Sequence, residues 1–295
     1  MRSTPSAEAI IDTALVRILL ETQHPDLAGL FLQEFATGWD NATFRLGPEL
    51  AIRLPRRSAA VTLLEHEQKW LPAIARQLPL PVPVPLRVGR PGAGYPWSWS
   101  IVPWLKGESA DRIPPEPDQA EPLARFLRAL HVGAPPDAPK NEVRGIPLRK
   151  RAASIEERMR RLERKTPVMS TRIQEAWQAG LQAEEDREPT WIHGDLHSRN
   201  VLVENGVITG VIDWGDVTAG DKATDLAAIW MLLPNLESRV HAMEKYGNAS
   251  RATWLRARAW AVLFGVLLLD IGLVDNPRNA RMGELTLGRI AEGPA

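Results

Sequence analysis

Asn205-Gly206 lies between Val201-Leu202-Val203-Glu204 and Val207-Ile208-Thr209-Gly210-Val211-Ile212, and no other stretch of this chain dictates its own conformation so strongly. Asn and Gly tolerate the positive φ angles of a two-residue turn, so the pattern predicts a tight hairpin between two β-branched strands. If Glu204 faces Val207, Asn200 falls opposite Val211 and Asp213 opposite Ser198. The fold-back then carries an amide and a carboxylate to the same end of the hairpin. Before the first strand stands His193-Gly194-Asp195-Leu196-His197-Ser198-Arg199-Asn200, and after the second stands Asp213-Trp214-Gly215.

An acid, an amide five residues on and a second acid thirteen beyond it form the spacing with which phosphoryl-transfer sites position a hydroxyl and its Mg²⁺. Asp195 is expected to accept a hydrogen bond from the attacking hydroxyl as general base. Asn200 and Asp213 offer the oxygen ligands that Mg²⁺ takes. A rival reading makes His193, Asp195 and His197 the ligands of a hydrolytic zinc ion. Two His four apart converge on a metal when a helix places them on one face. Gly194 and the β-rich run after it oppose a helix here. His193 is expected instead to hold the loop, by packing or by bonding backbone groups, and the role of His197 stays open.

The 295 residues carry a formal net charge of zero, 24% charged side chains and no cysteine. Zero net charge gives no reason to expect a nucleic-acid or anionic-membrane partner. Absence of cysteine excludes disulfides and thiolate metal sites and fits a reducing cytoplasm. The first residues bring in Glu8 and Asp12 early, without a signal peptide's apolar segment. Ala259 to Leu269, the longest uncharged apolar stretch at 11 residues, is short of the roughly 20 needed to span a bilayer and reads as a buried helix.

Ser6 is expected to cap a helix over residues 7–20. Short β-like segments follow at 30–35, 43–46 and 50–54, then a helix over 58–75. Residues 79–96, rich in Pro and Gly, hold at most an edge strand near 86–88, and 97–102 alternate as a further strand. Beyond a stiff connector the sequence reads as helices over 119–131, 155–164, 171–184, 221–231 and 251–269, interrupted by the hairpin. The expected class is α+β and bilobal: a small β-rich lobe over 1–102, a hinge at 103–107, and a larger, mostly helical lobe over 108–295.

HGDLHSRNVLV followed by GVIDWGD resembles the catalytic signature of the aminoglycoside phosphotransferase family, protein-kinase-like small-molecule kinases that include macrolide kinases and relatives of choline kinase. The likeness extends to Gly38-Trp39-Asp40-Asn41 with Phe44-Arg45-Leu46, similar to the short nucleotide loop. It also covers residues 65–72, similar to the helix bearing a glutamate, residues 127–131 after the hinge, and residues 220–226 after the second acid. The resemblance implies an ATP- or GTP-dependent kinase that uses Mg²⁺ to phosphorylate a hydroxyl of a small molecule. It makes Asp195 the base and Asn200 and Asp213 the metal holders, with Asp225 bracing the catalytic loop through backbone hydrogen bonds. Gly38 and Asn41 fall in the nucleotide loop.

One position departs from the family pattern. Arg53 stands where the third strand usually carries a phosphate-binding lysine, with Glu67, or alternatively Glu65, as its partner. Arginine keeps the charge and adds a planar fork, although its reach differs from that of lysine. An exposed strand arginine is the plain alternative. Trp104 belongs either to the adenine-binding hinge or to the core between lobes.

Residues 144–172 are basic, and from Asp216 onward nine acids balance nine bases, which favours no polycation. The acceptor is therefore expected to be aminoglycoside-, macrolide- or sugar-like, taken by a monomer or homodimer. A nucleotide-binding regulator of the same fold with weak or no turnover is the alternative, with Arg53 in its favour.

Overall fold

The computed structural model describes residues 6–186 and 188–293. The chain divides into two compact units, Met1–Arg76 with Pro81–Leu105, and Gln77–Leu80 with Lys106–Ala295. This is the α+β, bilobal architecture expected from the sequence. The first unit contains α1 (Thr13–Gln23), β1 (Leu32–Thr37), β2 (Asn41–Leu46), β3 (Leu50–Pro55), α2 (Val61–Ile74), β4 (Arg87–Gly89) and β5 (Trp99–Pro103). The strands form one antiparallel sheet in the order β1-β2-β3-β5-β4.

Strict alternation in β2 and a shared inward face on its neighbours build this sheet. Ala42, Phe44 and Leu46 of β2 turn inward, with Ile52 and Leu54 of β3 and Ile101 of β5, onto Val16, Leu19 and Leu20 of α1. The helix starts later than the sequence suggests. Asp12, not Ser6, is the cap, its carboxylate accepting from Leu15 N at 2.8 Å. Aspartate caps as well as serine, and this start aims the apolar stripe of α1 at the sheet. Pro103 closes β5 opposite Leu50 instead of opening the connector. Its missing N–H is tolerated at a strand end.

The second unit contains β6 (Glu108–Ser109), α3 (Ala120–Leu130), α4 (Ala152–Glu163), α5 (Thr171–Gln182), β7 (Thr190–Ile192), β8 (Val201–Glu204), β9 (Val207–Val211), β10 (Thr218–Gly220), α6 (Ala223–Leu226), α7 (Ala228–Leu232), α8 (Leu236–Tyr246), α9 (Arg251–Asp275) and α10 (Pro277–Ala291). Its strands make a three-stranded sheet, β6-β8-β9, and a two-stranded pair, β10-β7. The expected helix over 221–231 is broken at Ala227 into α6 and α7. Two helices, α8 and α10, went unread in the sequence. Yet α10 opens with the Asn276 side chain accepting from Asn279 N, with Pro277 in the first turn, a strong start signal.

Residues 251–274 are long and apolar enough to cross a membrane, but 67% of their apolar window is buried within the protein. Helix α9 packs against α4, α5, α6 and α10 and is the core helix of its unit.

The predicted hairpin is present, with φ of 51° at Asn205 and 81° at Gly206. Its register holds for Glu204↔Val207 and Val203↔Ile208, then shifts to Leu202↔Gly210 and Val201↔Val211. Thr209 is the extra residue of this bulge, and its hydroxyl is drawn out to Lys106 O at 2.7 Å. Asn200 O therefore accepts from Ile212 N, at 2.8 Å, instead of facing Val211 as a regular ladder requires. Gly206→Ala should cost roughly 1–2 kcal/mol through its left-handed backbone alone. A Cβ there would also stand 2.4 Å from Glu116 Cγ. Urea unfolding of the variant should show the loss; an unchanged midpoint would mean that the turn does not hold the hairpin.

Candidate active site

The loop between β7 and β8 is pinned from below. Asp225, fully buried on α6, accepts the backbone N–H of His193 at 2.6 Å and of Gly194 at 2.9 Å. His131 Nε2 lies 3.4 Å from the same carboxylate and its Nδ1 lies 2.9 Å from Tyr246 Oη. Gly194 has a φ of 84°, and a Cβ there would come 2.8 Å from Asp216 O, so only glycine fits this turn.

His193 is buried and works within the loop. Its Nδ1 accepts from Asp195 N at 3.2 Å and its Nε2 meets Ile212 O at 3.0 Å. These bonds place the ring proton on Nε2 and tie the loop to the end of the hairpin. With both nitrogens engaged, His193 has no lone pair for zinc. Among the described residues no group of three or more His, Asp or Glu stands where it could hold a metal ion.

Asp195 is four-fifths buried. Arg144 donates to its Oδ1 at 2.6 Å, and His197 Nε2 lies 3.4 Å from Oδ2. Burial alone would raise the carboxyl's pKa, but Arg144, His197 and His193 outweigh it and hold Asp195 well below the usual carboxylate range. Asp216 is shifted the other way, first by burial and then by the charge of Asp195, while its Oδ1 accepts from Asn141 Nδ2 at 2.7 Å.

Asn200 is buried, and its amide NH₂ is used on Asp195, at 2.9 Å to O and 3.4 Å to Oδ2. That assignment leaves Asn200 Oδ1 as the lone-pair donor. Asp213 stands one residue beyond Ile212, the backbone partner of Asn200. Its backbone is left-handed, φ 63° and ψ 66°, which is uncommon for a residue with a Cβ. In a continued strand Asp213 would point to the same side as Val211, which is fully buried. The reversal instead exposes Asp213 and sends Trp214 into the core, where its Nε1 donates to Val211 O and its ring lies 4.7 Å from that of His193. A conformation of this kind costs on the order of 1–3 kcal/mol and persists because the surroundings dictate it.

In the first unit, Gly38 N donates to Asn41 O at 2.9 Å to close the β1–β2 turn, and Arg57 pairs with Asp40 at 2.6 Å. A Cβ at Gly38 would meet its nearest neighbour, Asn41 O, at 3.4 Å. The turn itself therefore tolerates a side chain there. Asn41 begins β2 with its Oδ1 buried and without a hydrogen-bond partner among the described residues. Arg53 of β3 pairs with Glu67 of α2 at 2.5 Å, with side-chain exposures of 11% and 0%. Glu67 rather than Glu65 is the partner, and Arg53 is not a solvated strand residue. Trp104 N donates to Glu49 O, its ring meets Phe35 edge-on at 4.6 Å, and Arg45 lies over it at 4.5 Å. That places Trp104 in the packing of this unit.

The sequence reading missed Arg144, Asn141, Asp216 and His131 as neighbours of the loop. Only the basic character of residues 144–172 hinted at Arg144.

The profile of the phosphotransferase enzyme family, APH, matches residues 32–260, and the chain belongs to that family. It is a small-molecule kinase, with an alcohol as the acceptor group. An uncharacterized Bacillus subtilis (strain 168) protein, YcbJ, is 26% identical over 228 residues, covering 71% of each chain. A hygromycin-B 4-O-kinase of Escherichia coli is 36% identical over 87 residues, which is 28% of this chain and 25% of that enzyme. The fold matches the GDP complex of aminoglycoside 2'-phosphotransferase-IIIa with a TM-score of 0.69 at 17% identity, covering 95% of this chain and 99% of that one. It also matches a macrolide 2'-phosphotransferase of Brachybacterium faecium with a TM-score of 0.59 at 20% identity, over 96% and 100% of the two chains.

Glu67→Ala should destabilise the first unit by about 3–5 kcal/mol, the usual consequence of leaving one buried charge without its partner. Urea unfolding would register this, and a loss under about 1 kcal/mol would mark the pair as solvated. Because Asp195 is depressed, its ion pairs stabilise the fold throughout neutral pH and weaken only as pH falls through the low folded value. Arg144→Gln removes the strongest opposing charge, so the Asp195 pKa should rise. The acid limb of kcat/KM, followed from about pH 4 to 8, should then appear at higher pH than in wild type. Superimposable limbs would remove Arg144 from the control of Asp195.

Proposed function

We propose that this enzyme transfers the terminal phosphoryl group of ATP or GTP to a hydroxyl of an aminoglycoside-, macrolide- or sugar-like acceptor in the cytoplasm, with Mg²⁺ as the required ion. The observation that carries the reading is the arrangement at the end of the hairpin. Asn200 spends its amide protons on Asp195 and keeps Oδ1 as a donor of lone pairs. The left-handed residue Asp213 follows directly on the backbone partner of Asn200. An amide oxygen and a carboxylate make a hard, sparse donor set. Such a set suits Mg²⁺, which keeps waters and phosphate oxygens in its remaining positions.

Asn200 and Asp213 would hold the ion, which when bound neutralises charge on the phosphates. Asp195 orients the acceptor hydroxyl and receives its proton as the new O–P bond forms and the bond to the leaving nucleoside diphosphate breaks. A carboxylate this acidic pulls weakly on a proton early in the reaction. Its main contribution is then alignment, which suits a transition state in which the bond to the leaving group has largely broken. His193 and Asp225 keep the loop in place.

On the nucleotide side, Arg53 directed by Glu67 would grip phosphate oxygens, its fork suited to two of them. Gly38 and Asn41 would shape the loop over the nucleotide, and Trp104 would lie near the base. The buried Arg53–Glu67 pair supports an active enzyme over the regulator reading, since it supplies the ion pair expected of a lysine at that position. The aminoglycoside and macrolide enzymes of the same fold support a hydroxylated small molecule as acceptor.

The test is turnover of ATP and GTP with and without MgCl₂ in the presence of hydroxylated acceptors, for wild type, Asp195→Asn and Asp213→Ala. Asp195→Asn should bind nucleotide normally yet lose about 10²-fold or more in transfer rate. Asp213→Ala should need far more Mg²⁺ for any turnover. Wild-type transfer by Asp195→Asn, or turnover indifferent to Mg²⁺, would refute the proposal.

A further inference from the structure

Arg144, Arg151 and Arg158 recur at seven-residue intervals, from the loop beside Asp195 onto α4. Asn141 fixes the start of this row. Its Oδ1 accepts from Val143 N at 2.9 Å and Arg144 N at 3.0 Å, while its Nδ2 holds Asp216. Arg144 is thereby built into the wall of the catalytic loop. One guanidinium nitrogen reaches Asp195, its carbon lies 5.0 Å from the centre of the Phe264 ring, and its buried Nε has no hydrogen-bond partner among the described residues.

The third arginine differs from the second. Arg158, with Arg161, is neutralised by Asp270 of α9. Arg151 has only the Val143 carbonyl oxygen, 2.9 Å from Nη1, and no carboxylate among the described residues. Burial, then the charges of Arg144 and Arg158, push its pKa down, as expected of a cation held beside other cations without a counter-ion. Arg144 thus meets the Asp195 carboxylate, and Arg151, held on the Val143 carbonyl beside it, adds a second cation with no carboxylate of its own among the described residues. The local field is positive.

We propose that Arg144 and Arg151 form an anion subsite on the acceptor side of Asp195, so that the alcohol phosphorylated here carries a carboxylate or a phosphate near its reacting hydroxyl. The inference rests on the phosphotransfer reading of Asp195 and narrows its acceptor. Guanidinium groups bind both anions through paired N–H bonds. A polycation would have to displace Arg144 from Asp195 and lie against Arg151. The acceptor class is therefore a sugar acid, a hydroxy acid or a sugar phosphate, not a polyamine antibiotic.

Calorimetric titration of the full chain with gluconate, glucose 6-phosphate, glucose and kanamycin separates these cases. At least one of the two anions should bind about tenfold or more tighter than glucose, the advantage of a charge-assisted hydrogen bond. Added NaCl should reduce that advantage. A preference for gluconate or for glucose 6-phosphate would name the anion. Arg151→Gln should abolish the preference and Arg151→Lys should retain part of it, with unfolding midpoints confirming that both variants fold.

Equal binding of glucose and both anions, tighter binding of kanamycin, no anion binding below about 10 mM, or an unchanged preference in Arg151→Gln would each overturn the subsite. Mg²⁺-dependent nucleotide turnover is measured on the same preparation. Anion preference without turnover would sink the phosphotransfer reading of Asp195 and spare the subsite, whereas turnover without the preference would sink the subsite alone.

Discussion

One buried carboxylate sets the geometry on which the loop between β7 and β8 depends. Asp225 takes two successive backbone N–H groups, those of His193 and Gly194, and so fixes the peptide from which Asp195 projects. In a dry interior each of those donors left unmet would cost about 1–3 kcal/mol. From that anchor the remaining contacts follow in order. The His193 ring spans from Asp195 N to Ile212 O, Asn200 bonds back to Asp195, and the hairpin end is drawn against the loop. The brace touches no substrate, yet it places the groups that would.

The environment of Asp195 shows how a fold can choose between basicity and orientation. A guanidinium at hydrogen-bond distance keeps the carboxylate ionised and weakly basic. Phosphoryl transfer through a loose transition state asks little of a base and much of alignment. The same guanidinium puts a positive charge beside Asp195 that the overall charge of zero conceals. Net charge describes colloidal behaviour, whereas a site responds to the few groups within a Debye length.

Much of this was legible in the sequence because it is local. The Asn205-Gly206 turn, the alternation of β2 and the acid–amide–acid spacing all act over a few residues, so the hairpin and the sheet could be read directly and the loop carrying Asp195 could be singled out. The register could not. A bulge at Thr209 depends on Lys106 O, far away in sequence, and Gly210 beside it hints at a bulge without fixing which residue is extra. The left-handed turn at Asp213 was equally hidden: aspartate tolerates that conformation better than most residues, but the burial of Trp214, which the sequence does not show, selects it here. Arg144 and Asn141 lie in an aperiodic loop tied to Asp195 and Asp216, so their proximity to Asp195 required the fold. The start of α10 was different. Asn276 and Pro277 are a plain cap signal, and the long apolar run before them drew attention away.

That apolar run, α9, has its last cover in α10, the final helix of the chain. A Cβ on Gly283 of α10 would lie 2.5 Å from Leu269 N of α9, so the two backbones nearly touch. A ribosome making this protein releases α9 before α10 exists. For that interval α9 has α4, α5 and α6 to lean on, and the face that α10 will cover stands open on a helix long and apolar enough to enter a bilayer. Chaperones that hold nascent chains would have their strongest claim on α9 in that interval.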